Sequence, residues 1–593
     1  MNLKEFLSEL RRRKVYRVSI AYGFAAWLIA QIADLISESF EADPWVMQTI
    51  ITILILGFPV TLILSWIFDI GPEGIERTLP KDVNAPTEDE PISVKLVIGS
   101  LVLIILLVIG STWSIQEFTK GKKGSISSLA ILPFDNFTGH DSLAYFVAGI
   151  QSSLIGDMQK VSALRVSSKT SSSSFQDSKT SIPEIANQLN VDAAIEGEIT
   201  CMGEDSICVQ IRLIRAFPEE EQIWVQNYKI ERGEILNFYN NVTKQISKEI
   251  DIALTPKEDR LLATSRKVNP EAYDAFLKGT YYWEKVNEQP AKKAIEYFQL
   301  ATELDPEWAD PYAGLANAWA LLGFFGYSPK SVTLPKTYLY LNKALELDPN
   351  SAKAHYVAAI LAVWTEWDWE KGEREFLRSI ELDPNDASCR MYYAHLLMIL
   401  RKTNEADRQA NIGIELDPMK PLILGLYGNV LWQNNDDRQG AIKVYEKSLS
   451  IDPNFGLGNR DLYEVQMEHT YKNGEYEKWI GFWNKKVESL GYWNTKGREA
   501  VLKSFDEGGH IAAIEEMIRM NEIYGKDCYL SEGVKAERYI MLKNIDKAME
   551  VLDKGYEKRW FLMPYISPKY HYYELLKDEP RYIEILKKMD LPY

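Results

Sequence analysis

Six histidines, four cysteines and a large surplus of carboxylates are the residues of this chain that could carry chemistry. His140, His355, His395, His469, His510 and His571 stand singly, with no second ligand or base at metal-site or triad spacing. No HExxH, no GxxxxGK[ST], no GxSxG and no GxGxxG opening a helix is present. Carboxylate pairs are plentiful, but in a chain of formal net charge −17 a pair alone does not mark acid–base catalysis. The same acidity argues against a nucleic-acid partner. No CxxC or Cys/His cluster suggests zinc, and four cysteines in 593 residues exclude a scaffold built on disulfides. The expectation is a protein that is not an enzyme and that has no metal and no cofactor. Asp135 and Asn136 follow an apolar strand, where α/β folds often place binding groups, and a turn explains them equally well.

The elements that must position side chains are set by a recurring tripeptide. Leu304-Asp305-Pro306, Leu347-Asp348-Pro349, Leu382-Asp383-Pro384, Leu416-Asp417-Pro418 and Ile451-Asp452-Pro453 each close an apolar helical segment, with prolines 43, 35, 34 and 35 residues apart. A proline cannot continue a helix, so it ends one and turns the chain into the next. Small residues fall where paired helices approach, as at Ala394, Ala406, Ala410 and Gly413, with Tyr393, Leu397 and Leu416 between them. A period near 34 is that of the tetratricopeptide repeat (TPR), two antiparallel helices per unit. The array is expected over 269–560 as about eight hairpins, with an insertion near 323–334 and a helical cap at 561–593 that shields the last open apolar face.

In such a superhelix the first helix of each pair lines a concave groove. Carried onto this sequence, the groove positions are Asp310, Asn317, Tyr356, Ile360, Trp364, Met391, His395, Met398, Asn429 and Trp432. Aromatic and Met side chains there suit an extended or helical peptide, although several could equally belong to the inter-repeat core. A clamp for a C-terminal carboxylate needs Lys and Asn one turn apart. The pairs here are Tyr356/Ile360, Met391/His395 and Gly425/Asn429, so no clamp is expected.

Before the repeats, three apolar segments could cross a bilayer: 18–36, 45–68 and 96–115. Lys4, Arg11, Arg12, Arg13, Lys14 and Arg17 precede the first and place the basic tail 1–17 in the cytoplasm. Three helices within 18–116, joined by a polar cytoplasmic loop at 70–93, then leave everything after about 116 on the extracytoplasmic side. From 125 to 260 the pattern changes to strands mixed with helices, a compact α/β (α+β) domain opening on Leu129-Ala130-Ile131-Leu132, a strand buried on both faces. Cys201 and Cys208 flank a turn at Gly203-Glu204-Asp205. Side-chain parity points Cys201 inward and Cys208 outward, against a disulfide unless a bulge changes the register.

Three stretches carry a resemblance. Phe6-Leu7-Ser8-Glu9-Leu10-Arg11-Arg12-Arg13-Lys14-Val15-Tyr16-Arg17, Leu129 to Asn136 with Ala148-Gly149-Ile150, and Phe276-Leu277-Lys278-Gly279-Thr280-Tyr281-Tyr282-Trp283 resemble bacterial membrane-anchored TPR proteins. The middle stretch is similar to the envelope domain related to TolB amino-terminal and FlgO-type modules. Relatives commonly carry a cyclase, winged-helix or kinase output domain ahead of the membrane. About seventeen residues precede the first span here, so the resemblance implies a separate membrane signalling partner.

The expected architecture is therefore an α-helical membrane anchor, a small α/β domain and an all-α TPR solenoid in a bacterial inner membrane. It would bind other proteins as a sensor subunit or scaffold. The alternatives are a small-ligand receptor working through the α/β domain and, less favoured, a cyclase-type enzyme.

Overall fold

The computed structural model describes residues 126–593 apart from 141–142, 177, 204, 264–265, 284–287, 325–326, 492–494, 525–531 and 567–570. Before them it describes 19, 22–31, scattered positions between 50 and 61, 68–71 and 74–77. The basic tail 1–17, the third apolar segment and nearly all of the second thus lie outside the described residues. Residues 22–31 are helical, and the Tyr22 hydroxyl donates to the Leu54 carbonyl at 2.7 Å. Among the described residues no helix is long and apolar enough to cross a membrane.

A short hairpin lies at the start of the stretch read as a polar loop. Strands β1 (Phe68–Gly71) and β2 (Gly74–Arg77) pair antiparallel, Phe68 opposite Arg77 and Gly71 opposite Gly74. Phe68-Asp69-Ile70 alternates apolar and charged but Ile75-Glu76-Arg77 does not, and three residues are too short a run for a period of two to stand out beside Gly-Pro. The residues up to Phe118 and those from Thr119 onward are separate compact units.

The second unit opens with a mixed sheet. In chain order it contains β3 (Ser128–Ile131), β4 (Asp135–Asn136), α1 (Ala144–Met158), β5 (Arg165–Val166), α2 (Lys169–Ser173) and α3 (Ile182–Leu189). The hairpin strands β6 (Ala193–Met202) and β7 (Ser206–Arg215) follow, then β8 (Glu221–Glu231), α4 (Ile235–Glu249) and α5 (Pro256–Leu261). The order across the sheet is β5-β3-β6-β7-β8, with β3 parallel to both neighbours and the last three strands an antiparallel meander. Leu129 and Ile131 pack under α1 and α4 on one face, while Ala130 and Leu132 meet Ile185 and Leu189 of α3 on the other. A strand covered on both sides cannot alternate polar with apolar, which is why it reads as an unbroken apolar run. The serine-rich stretch Lys169–Ser173 is α2, whose first turn is capped by the Ser168 side chain.

The parity argument for the cysteines fails at one residue. The β6–β7 register holds from Ala193 opposite Arg215 to Ile199 opposite Val209, then slips, and Cys201 faces Cys208 in a disulfide. A bulge adds one residue to a period of two, so it turns the next side chain to the other face.

Eight helical hairpins follow among the described residues. They are α6/α7 (Pro270–Trp283, Glu288–Leu304), α8/α9 (Ala309–Phe324, Lys330–Leu347), α10/α11 (Ala352–Leu361, Trp369–Leu382) and α12/α13 (Ala387–Ile399, Thr403–Leu416). Then come α14/α15 (Pro421–Asn429, Arg438–Ile451), α16/α17 (Gly456–Lys472, Tyr476–Leu490), α18 (Thr495–Tyr524) and α19/α20 (Glu532–Met541, Ile545–Glu557). Helix α18 is itself two helices meeting at Gly509, whose φ of 71° is open to glycine and strained for other residues. The extra length between Pro306 and Pro349 goes largely into helix, α9 alone taking 18 residues, rather than into the loop expected at 323–334.

Three of the five terminators work through their aspartate as well as their proline. Asp348, Asp383 and Asp452 turn their side chains onto the backbone N–H two residues on (Asn350, Asn385 and Asn454) at 2.9, 3.2 and 3.0 Å. This local bond offers the chain a turn where the helix stops.

Candidate protein-binding groove

Helices α10 and α14 each end in a wider π-type turn, Ala362–Glu366 and Val430–Asn434, and each turn carries one of the predicted groove tryptophans. Such a turn re-aims the side chains it holds. Trp364 and Trp432 point into packed interior, 1% and 5% exposed.

The ten predicted groove residues therefore divide. Asp310 is exposed, and Asn317, Tyr356 and Ile360 are half-buried. Trp364, Met391, His395, Met398, Asn429 and Trp432 are buried, which corrects their assignment to an open surface. Two mechanisms bury them.

The first is bonding between successive repeats. The Asn429 amide donates to Asp461 on α16 at 3.0 Å and accepts from Tyr445 at 2.9 Å. Trp432 Nε1 donates to Glu468 on the same helix at 3.0 Å. Both carboxylates are buried, and Arg460 and Lys472 neutralise them. Unpaired, such charges would be costly, so these contacts hold the stack together.

The second is the chain's own C-terminal segment, expected only to cap the last hairpin. It does meet that hairpin, where Arg581 bonds Asp546 of α20 at 2.9 Å, and it also crosses to the second, third and fourth repeats. Phe561 packs on Phe324 with ring centroids 4.8 Å apart, and the Tyr565 hydroxyl lies 3.0 Å from His395 Nδ1. Arg559 lies over the Trp367 ring at 4.5 Å and donates to the Glu366 carbonyl. Lys330 donates to the Arg559 carbonyl at 2.8 Å, and Trp369 Nε1 to that of Met589 at 2.8 Å. Burial pushes the His395 imidazole down to about 4 and the nearby Tyr392 phenol up to about 12, so both are neutral here.

The α/β domain is seated on the same solenoid. Gly149 of α1 faces Leu277 of α6 so closely that a Cβ would lie 2.7 Å from its Cδ1. Asp310 faces the Asp157–Lys160 ion pair at the C-terminal end of α1, and the carboxylates around Lys160 carry its pKa up although burial opposes its charge. The other two terminator aspartates bond to residues ahead of the repeats: Asp305 takes Arg266 at 2.8 Å, and Asp417 takes the Ser171 hydroxyl at 2.8 Å.

Asn385 is the residue that sequence reasoning missed. Its amide donates to the carbonyls of Gln159, Val161 and Leu164 at 2.9, 3.4 and 3.0 Å, and its oxygen takes the Val166 N–H at 3.3 Å. Only its place after a terminator proline could have marked it. Asn136, by contrast, is spent on its own turn, bonding Thr138 and His140.

Residues 423–455, helix α14 through the end of α15, match the tetratricopeptide repeat model. The chain carries a TPR repeat. A protein of Rhizobium meliloti (strain 1021) that bears the name putative adenylate cyclase 3 is 27% identical over 241 residues, 40% of each chain. The TPR chain thus spans well under half of that curated relative. Among solved structures, a thermophilic TPR protein of Thermus thermophilus matches at 12% identity and a TM-score of 0.28, covering 33% of this chain and 99% of that one. The pilF protein of Pseudomonas aeruginosa matches at 21% and 0.27, covering 36% and 94%.

Proposed function

We propose that this TPR protein is a membrane-anchored, extracytoplasmic component of a bacterial envelope that works by binding other proteins, as a sensor subunit or assembly scaffold, and performs no reaction of its own. The anchor rests on the apolar segments 18–36, 45–68 and 96–115 and the basic residues ahead of them. The compartment is supported by the Cys201–Cys208 disulfide, a bond that persists outside the reducing cytosol.

The observation that carries the binding role is what already occupies the solenoid's inner face. A stretch of turns and one 3-10 turn, Arg559 to Tyr565, lies against it through aromatic stacking and a His–Tyr hydrogen bond. A surface that accommodates one such segment is chemically suited to others.

The test is a photo-crosslinking amino acid placed at Asn317, one of the half-buried groove positions, in the full chain in its own membrane. Capture of one defined polypeptide there, and none from Arg374 on the outer face of α11, is the expected result. Equal capture from both positions would remove the groove from the mechanism. A reporter fused after Tyr593 that proved cytoplasmic would overturn the compartment.

A further inference from the structure

A cleft of about 270 Å³ lies where the α/β domain meets the third and fourth repeats. Arg165, on β5, lines it from one side and Arg390, on α12, from the other. In a chain of net charge −17, neither guanidinium has a carboxylate at ion-pair distance among the described residues. Arg165 donates to the Glu415 carbonyl at 3.3 Å, and Arg390 to the Pro384 carbonyl and Gln409 at 2.8 and 3.0 Å. Each fork has five donors, so both keep unused N–H groups.

The other polar groups of the cleft are committed elsewhere. The Ser127 and Ser162 hydroxyls donate to Asp192 and Glu258, and the Asn385 amide holds three carbonyls. Glu415 is the one acidic lining residue. Asp192 and Glu415 favour the charge of Arg165 through space, as Asp383 and Asp386 do for Arg390, yet burial outweighs them and holds both guanidiniums below their usual range. Two partly dehydrated cations with spare, planar donors meet in one cavity between domains, where small-molecule sites concentrate.

We propose that this cleft binds a small oxyanion, a phosphate- or carboxylate-bearing metabolite, held by the forks of Arg165 and Arg390. Because one arginine belongs to each domain, the ligand bridges the α/β domain to the solenoid and ties their docking to its concentration. The site stands apart from the groove and does not depend on it.

The experiment titrates the full chain with inorganic phosphate and, separately, succinate, following thermal stability at constant ionic strength set with chloride. One or both anions should raise the melting temperature with saturation, whereas chloride alone should not. Arg165→Gln and Arg390→Gln should each weaken the saturating anion about ten-fold or more, and the Lys variants less, while Arg519→Gln leaves it unchanged. A second measurement needs no variant: phosphate or succinate should shield Arg165 and Arg390, but not Arg519, from phenylglyoxal. Equal stabilisation by chloride, equal affinity in the Gln variants, or no shielding by either anion would each overturn the site. Saturation by phosphate alone assigns a phosphate ligand, and by succinate alone a carboxylate.

Discussion

His395 and Tyr565 stand 170 residues apart in the chain, and their side chains meet at 3.0 Å on the inner face of the solenoid. The other ring nitrogen of His395 lies 3.1 Å from the Leu426 carbonyl. The imidazole is thus enclosed by two neutral partners, and burial depresses its pKa to about 4.

That depression has a defined sign. An unfolded histidine takes its proton near pH 6.5, before the folded one does, so stability is full above that value and falls as pH drops toward 4. The loss attributable to His395 is on the order of 3 kcal/mol. His395→Gln should flatten the decline in melting temperature between pH 6.5 and 4 relative to the parent chain. An unchanged slope would mean that other groups set the acid response.

Asn385 anchors the α/β domain through three donated bonds and one accepted. Asn385→Ala strands buried carbonyls and should cost about 1–3 kcal/mol. The damage should be local to the junction: limited proteolysis should cut 162–166 faster while the later hairpins keep their protection. Asn385→Asp should do worse than Ala, because it turns a carboxylate on those carbonyls.

The disulfide closes a loop seven residues along the chain. A loop this short stabilises by about 2 kcal/mol in the chain-entropy account. The double variant Cys201→Ser, Cys208→Ser should lower the melting temperature, and alkylation in intact cells should find both thiols blocked. Free thiols in cells would count against the extracytoplasmic reading.

Packing inside the repeats leaves no room at certain glycines. A Cβ at Gly428 would lie 2.4 Å from Tyr445, itself fully buried and bonded to Asn429. Gly428→Ala should destabilise by about 1–3 kcal/mol through overpacking, measured by chemical denaturation. Gly481, with nothing within 4 Å, should accept alanine without loss.

Much of this molecule could be read directly. The prolines at 306, 349, 384, 418 and 453 and the small residues between them determine the hairpins, because helix period and helix termination are encoded within a single repeat. The unbroken apolar run at Leu129–Leu132 determines a strand covered on both faces. The groove positions were legible as positions but not as surfaces. Whether Trp364 and His395 meet solvent depends on a small rotation between neighbours, added over several repeats, that brings Phe561 and Tyr565 back to them. Likewise the slip after Ile199 moved Cys201 across the sheet, and parity counting has no term for an extra residue. The meeting of Arg165 with Arg390 in one cleft, and of Asn385 with the carbonyls around residue 161, joins residues more than two hundred positions apart. Local composition carries no signal for such pairs; only the docking of one domain on the other decides them.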